Sequence, residues 1–188
     1  MKTTLITALF ISIGFTAFSQ TSSIEEPEYV GESVYVAAAD HKTTPLEKQT
    51  VKIQTKAGAS VYLTGIGKTR SKMVIQGNSS PVKFGSNEPL TFIVKSFDNK
   101  SDPLSIVSIV KFETTSKARK AEIGSLGTFS GASTNNLDYI KYTSKKFKES
   151  SYELKVDGLA VGEYGIIVKN PTALADNNTI VACFSIEE

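Results

Sequence analysis

The chain of 188 residues is 40% hydrophobic and 21% charged, which excludes a disordered tail and leaves enough apolar material for a core without covalent staples. One cysteine, Cys183, excludes an internal disulfide, and a formal charge of +2 argues against nucleic acid or an anionic membrane as the default partner. A single histidine and no tryptophan leave little material for metal cages or for broad aromatic platforms.

In chain order, the first element is a leader. Lys2 supplies a positive start, and Leu5 to Phe18 is apolar apart from small hydroxyl and glycine residues. Ala17-Phe18-Ser19 then puts small side chains before a cut that would make Gln20 the mature start. The apolar run is shorter than the roughly 20 residues that a membrane-spanning helix needs. Residues 1–19 are therefore expected to be a signal peptide, and with no cysteine beside the cut a lipid anchor is not expected. The expectation is export, to the periplasm, the cell surface or the medium. Residues 20–27 read as a flexible polar leader ahead of one domain at 28–188. Glu25, Glu26, Glu28 and Glu32 make this start acidic, whereas Lys111 to Lys148 is basic. Such a tail docks on its own domain or stays solvated.

Beyond the leader the dominant period is two, the mark of half-buried strands. Val51 and Ile53 alternate with Lys52 and Gln54; Leu90, Phe92 and Val94 share a face opposite Thr91, Ile93 and Lys95. Ile106 to Phe112 is apolar except at Ser108 and Lys111, as in a central strand covered on both faces. Tyr152, Leu154 and Val156 alternate with Glu153 and Lys155. At the end, Ile180, Ala182, Phe184 and Ile186 oppose Val181, Cys183 and Ser185. Turn chemistry separates these runs at Gly77-Asn78, Asn87-Glu88-Pro89, Asp98-Asn99, Asp102-Pro103, Asp157-Gly158 and Asn170-Pro171. Ser116 to Ile123 and Asn136 to Phe147 lack a continuous apolar stripe. The first is read as a strand, the second as a strand followed by a loop or a single helical turn. Together these runs predict an all-β fold: an antiparallel β-sandwich, Ig-like or jelly-roll-like, with little or no helix. Gly77 to Asn87 would suit a boundary between two small domains, but one sandwich needs fewer assumptions.

Most chemical motifs fail on inspection. Thr64-Gly65-Ile66-Gly67-Lys68-Thr69 resembles the end of a phosphate-binding loop, yet Tyr62 stands where the first glycine belongs, and a strand follows in place of a helix. A hairpin turn is expected. Asp40-His41 has no partner nucleophile: Gly58-Ala59-Ser60-Val61-Tyr62 lacks the last glycine of a nucleophile elbow, so His41 reads as a solvated loop residue. Cys183 lies in an apolar strand and reads as a small buried hydrophobe. Glu163 and Glu122 come closest to a catalytic carboxylate pair, and both suit outward strand positions. Asp98 to Asp102 offers several oxygens, but Lys100 opposes a dication there. No cofactor and no metal are expected. The sequons at Asn78, Asn99 and Asn177 would matter only in a eukaryotic secretory pathway.

One segment interleaves cations with aromatics. Lys141, Tyr142, Lys145, Lys146, Phe147 and Lys148 are the candidate ligand-binding residues, a pattern that can grip an anionic polymer. The same spacing suits an edge strand whose lysines block edge-to-edge pairing. The turn from Lys68 to Lys72 is the second choice.

The leader ending Ala17-Phe18-Ser19-Gln20, with Leu159-Ala160-Val161-Gly162-Glu163-Tyr164, resembles uncharacterised exported β-rich proteins of Bacteroidetes-type bacteria that carry a Leu-x-x-Gly-Glu-Tyr segment. That resemblance implies a sandwich fold and export, and it transfers no site residue. The expected function is an exported, non-catalytic β-sandwich domain with a binding or structural role. Its partner would be a protein or polysaccharide, without nucleic acid and without a transmembrane segment. A carboxylate-dependent glycan or peptide hydrolase is one alternative, requiring two acids about 5–10 Å apart in a cleft. A subunit of a cell-surface assembly is the other, requiring an exposed apolar patch or an unguarded edge.

Overall fold

The computed structural model describes residues 24–57, 59–64, 68–127, 133–134, 139–169 and 179–188. The expected signal peptide, residues 65–67 of the glycine turn, the Asn170-Pro171 turn and the Asn177 sequon lie outside the described residues. In chain order the elements are β1 (Ser33–Val36), β2 (Thr43–Pro45), β3 (Glu47–Thr50), β4 (Lys52–Ala57), α1 (Ala59–Thr64), β5 (Lys68–Gln76), β6 (Lys83–Gly85) and β7 (Leu90–Lys95). Then come α2 (Pro103–Ile106), β8 (Val107–Thr114), β9 (Ala118–Gly127), β10 (Ser133–Thr134), β11 (Thr143–Phe147), β12 (Ser151–Val156), β13 (Gly162–Val168) and β14 (Ile180–Glu187).

The fold is all-β and sandwich-like. One layer is a five-stranded sheet in the order β11-β12-β7-β1-β2, antiparallel throughout. Its inner face presents Leu90, Phe92, Val94, Tyr152, Leu154 and Val156 to Ile109, Tyr164, Ile166, Phe184 and Ile186 of the second layer. Rings of Tyr35, Phe84, Phe92, Tyr164 and Phe184 pack with centroids 4.5 to 6.2 Å apart, closing the middle of this core. Each such side chain taken fully from water contributes ~1.5–3 kcal/mol.

The second layer runs β3-β14-β13-β8-β9-β5-β4 and curls back on itself. Its two ends, β3 and β4, are separated in sequence by Val51 alone, so the path of paired strands returns to the segment where it began. The result is a partly open barrel. β8 pairs with β13 through Phe112 and with β9 only at Glu113 and Thr114, and Tyr139 and Ile140 bond to β8 where it leaves β9. Val51, Met73, Ile75, Val110, Phe112, Ala121, Ile167, Val181 and Cys183 fill the bore. Strands β8, β13 and β14 therefore carry one core on each face. This explains why Ile106 to Phe112 is apolar almost throughout, and why both faces of the last strand are buried. Those three strands thus contribute side chains to both clusters.

Close packing inside the barrel relies on a glycine. A Cβ on Gly165 would meet Val181 Cγ1 at 2.5 Å and Phe112 Cε2 at 2.6 Å. At the mouth, Gly162 has φ +154°, and a Cβ there would meet Lys111 Cε at 2.7 Å. Leaving it bare lets Lys111 reach across to place its Nζ 5.6 Å from the centre of the Tyr164 ring. Tyr164 stacks on Phe184 and donates its hydroxyl to the Ala160 carbonyl at 2.7 Å, locking the corner that precedes β13.

The turn signals hold where they are described. Asp102 caps α2 through the Leu104 amide at 2.9 Å, with proline in its first turn. Of Ser116 to Ile123, Ala118 to Ile123 lies on β9 as expected, while Ser116 and Lys117 form the bend that precedes it. The described part of Asn136 to Phe147 reverses the expected order: Tyr139 makes an isolated bridge to Val110, residues 140–142 carry no regular structure, and the strand, β11, comes last. A short helix, α1, occupies part of the connection from β4 to β5, where a plain hairpin turn is expected. Within the 77–87 stretch, Ser80 is buried and donates to the Cys183 carbonyl, and β6 pairs with β14. Part of the acidic start docks on the domain. Glu26 accepts from the Ser150 amide at 3.0 Å and from Lys95 at 3.1 Å, and Glu32 pairs with Lys48.

Candidate functional site

The densest polar cluster lies inside the barrel, where the two-residue alternation of β3, β9, β13 and β14 aims Glu47, Arg119, Glu163 and Ser185 inward. Arg119 is 0% exposed and grips Glu47 with both terminal nitrogens, at 2.8 and 3.2 Å, while Glu163 stands 3.6 Å from one of them. Glu163 also accepts from the Ser80 amide at 2.8 Å and from the Ser185 hydroxyl at 2.7 Å. Gln49 donates to Glu47 at 2.7 Å. Burial works against the charge of Glu47, but hydrogen bonds from Arg119, Gln49 and Ser80 and the charge of Arg119 prevail and hold it below the usual carboxylate range.

This corrects the outward placement expected for Glu163, which is buried beside Arg119 and bonded to Ser80 and Ser185. Glu122, the other carboxylate of that expected pair, is partly exposed on β9 and lines a cleft of about 430 Å³ with Glu163 and Glu113. Strand alternation alone could place Glu163 and Arg119 on alternating faces. Only closure of the sheet brings those faces together across the bore.

Cys183 packs in the same interior. Burial, opposed by Arg119 and aided by Glu47 and Glu163, pushes its thiol up to about 12. Burial likewise raises the Tyr142 phenol to about 12. Both groups bind their protons more tightly folded than unfolded. Their contribution is intact below the unfolded values of 9.0 and 10.0 and is lost as pH climbs toward 12. Urea midpoints should therefore fall steadily above pH 9, more steeply above 10, at ~1.4 kcal/mol per pH unit for each group. Cys183→Ala should remove the first part of that slope.

The lysine-rich segment forms β11, at the edge of the five-stranded sheet. With the 100–104 turn it lines a groove of about 710 Å³ that includes Lys100, Asp102, Tyr142, Lys145, Lys146 and Tyr152. Lys141, Lys145, Lys146 and Lys148 are exposed, whereas Tyr142 and Phe147 are half-buried. The tyrosines serve the fold: Tyr142 is 2.8 Å from the Val107 carbonyl and 3.0 Å from that of Pro103, and Tyr152 donates to Ser101 at 2.7 Å. Lys145 pairs with Glu153 across the ladder at 3.0 Å, and Lys148 lies over the Phe147 ring at 5.5 Å. The groove thus carries Lys100, Lys145 and Lys146 beside Asp102 at its rim, with the half-buried Tyr142 in its floor, whereas the Tyr152 ring is buried in the core.

The remaining candidates have local roles. His41 is exposed in the β1–β2 turn at φ +56°. Asp98 accepts from the Lys100 amide and Asn99 donates to the Lys148 carbonyl, joining two turns. Among the described residues, no three His, Cys, Asp or Glu side chains converge as metal ligands, and no helix is long and apolar enough to cross a membrane. The fold and these sites define a β-sandwich scaffold with one layer curled into a partly open barrel. Comparison with protein-family models and with curated protein sequences gives no match.

Proposed function

We propose that this is an exported, non-catalytic binding domain that holds an acidic polysaccharide in the groove between β11 and the 100–104 turn. The observation that carries the reading is the cationic rim of that groove, where Lys100, Lys145 and Lys146 stand beside Tyr142, which is already fixed by its hydrogen bond to the Val107 carbonyl. A rigid floor of this kind needs little ordering on binding. Against a hydrolase stands the state of the converging acids. A glycosidase acid needs a raised pKa in an open cleft; Glu163, which lines one with Glu122, instead faces Arg119 at 3.6 Å, and the same arginine holds Glu47 low.

Titration with polygalacturonate at low salt tests this. Binding should weaken about tenfold in Lys145→Ala/Lys146→Ala and fade as salt rises, while neutral dextran should not bind. Unchanged affinity in the double variant, or turnover of a glycan or peptide by the purified protein, would overturn it.

A further inference from the structure

The near-neutral total charge hides a second surface, far from β11 in the sheet order. Strands β4, β5 and β9 put Lys52, Lys56, Arg70, Lys72 and Lys120 on one face by register, with Glu122 and, opposite Lys120 on β8, Glu113 as acids in the same rows. Lys56 and Arg70 are direct cross-strand partners. Like charges so placed weaken a ladder, so the fold carries a local cost there that an anionic surface would relieve. One step beyond that pair, α1 joins the two strands and exposes Tyr62 by 80% and Leu63 by 84%, the most exposed large apolar side chains among the described residues.

Cations behind an apolar tip match the two layers of a lipid interface, headgroup phosphate and upper acyl chain. An anionic polysaccharide would account for the cations but not for Leu63. We infer that the β4–α1–β5 arm docks on an anionic lipid surface, inserting Tyr62 and Leu63 while Lys56, Arg70 and Lys72 contact phosphates.

The chain's lack of tryptophan supplies the probe. Tyr62→Trp introduces a single indole at the tip. With vesicles of equimolar phosphatidylglycerol and phosphatidylcholine, its emission should move to shorter wavelength, and the protein should sediment with the vesicles. With phosphatidylcholine alone neither should occur. Lys56→Gln/Arg70→Gln should weaken association by about tenfold or more, and Leu63→Ser in the native background by about tenfold. These residues are exposed, so circular dichroism should show an unchanged fold. The inference fails if the wild-type chain does not sediment with the anionic vesicles, or if it does so with no shift of the indole emission. Equal loss of binding to soluble dextran sulfate and to vesicles, with no effect of Leu63→Ser, would assign the face to a polysaccharide instead. The β11 variants should leave vesicle binding unchanged, which keeps this outcome separate from that of the groove.

Discussion

Arg119→Met should destabilise the protein by about 3–5 kcal/mol, a large part of the 5–15 kcal/mol that typically holds a domain together. Arg119 is the cation facing Glu47 and Glu163 inside the barrel, and without it two inward carboxylates face one another with no counter-charge. Removing one partner of a buried pair costs far more than replacing the whole set with neutral groups. Arg119→Met/Glu47→Gln/Glu163→Gln should therefore recover most of the loss, and urea unfolding of the two variants measures the difference. Acid should act on the native protein in the same sense. Glu47 contributes stability above its unfolded pKa that is lost as pH falls through its depressed folded value. Equal midpoints for the wild type and Arg119→Met would show that the network is not what closes the barrel.

Gly165→Ala should cost about 1–3 kcal/mol, although alanine is a common strand-tolerated residue and the position is not conformationally strained. The added methyl group has no room, because Val181 and Phe112 approach from two neighbouring strands. Pairing it with Phe112→Leu should return part of the loss, with a coupling of about 0.5–3 kcal/mol in a double-mutant cycle. Simple additivity of the two substitutions would mean that the sheet relaxes around the methyl group. The bore would then be looser than these contacts indicate.

Strand positions were legible because side-chain direction alternates residue by residue, a local property that any pleated segment displays. The two-faced burial of Ile106 to Phe112 was legible for the same reason: Ile109 and Val110 point opposite ways, and both are apolar. The lysines of β11 were legible as an edge. What escaped was the pairing of Arg119 with Glu47, which lie far apart in sequence, on strands that gave no sign of meeting. A signal did exist. Glu163 alternates with Gly165 and Ile167 on a face too apolar for solvent, and Arg119 shares its face with Ala121. An acid and a base on otherwise apolar faces call for a buried partner.

The amino-acid sequence by itself determined the strands, their turns, the edge lysines and the scarcity of reactive groups, because these rest on interactions between near neighbours. Tertiary structure alone decided that one layer would curl until β3 and β4 became its two ends, and that Arg119 and two glutamates would meet inside it. Curvature sums small twists over many strands, and the resulting cross-barrel contacts join residues whose separation no local pattern encodes.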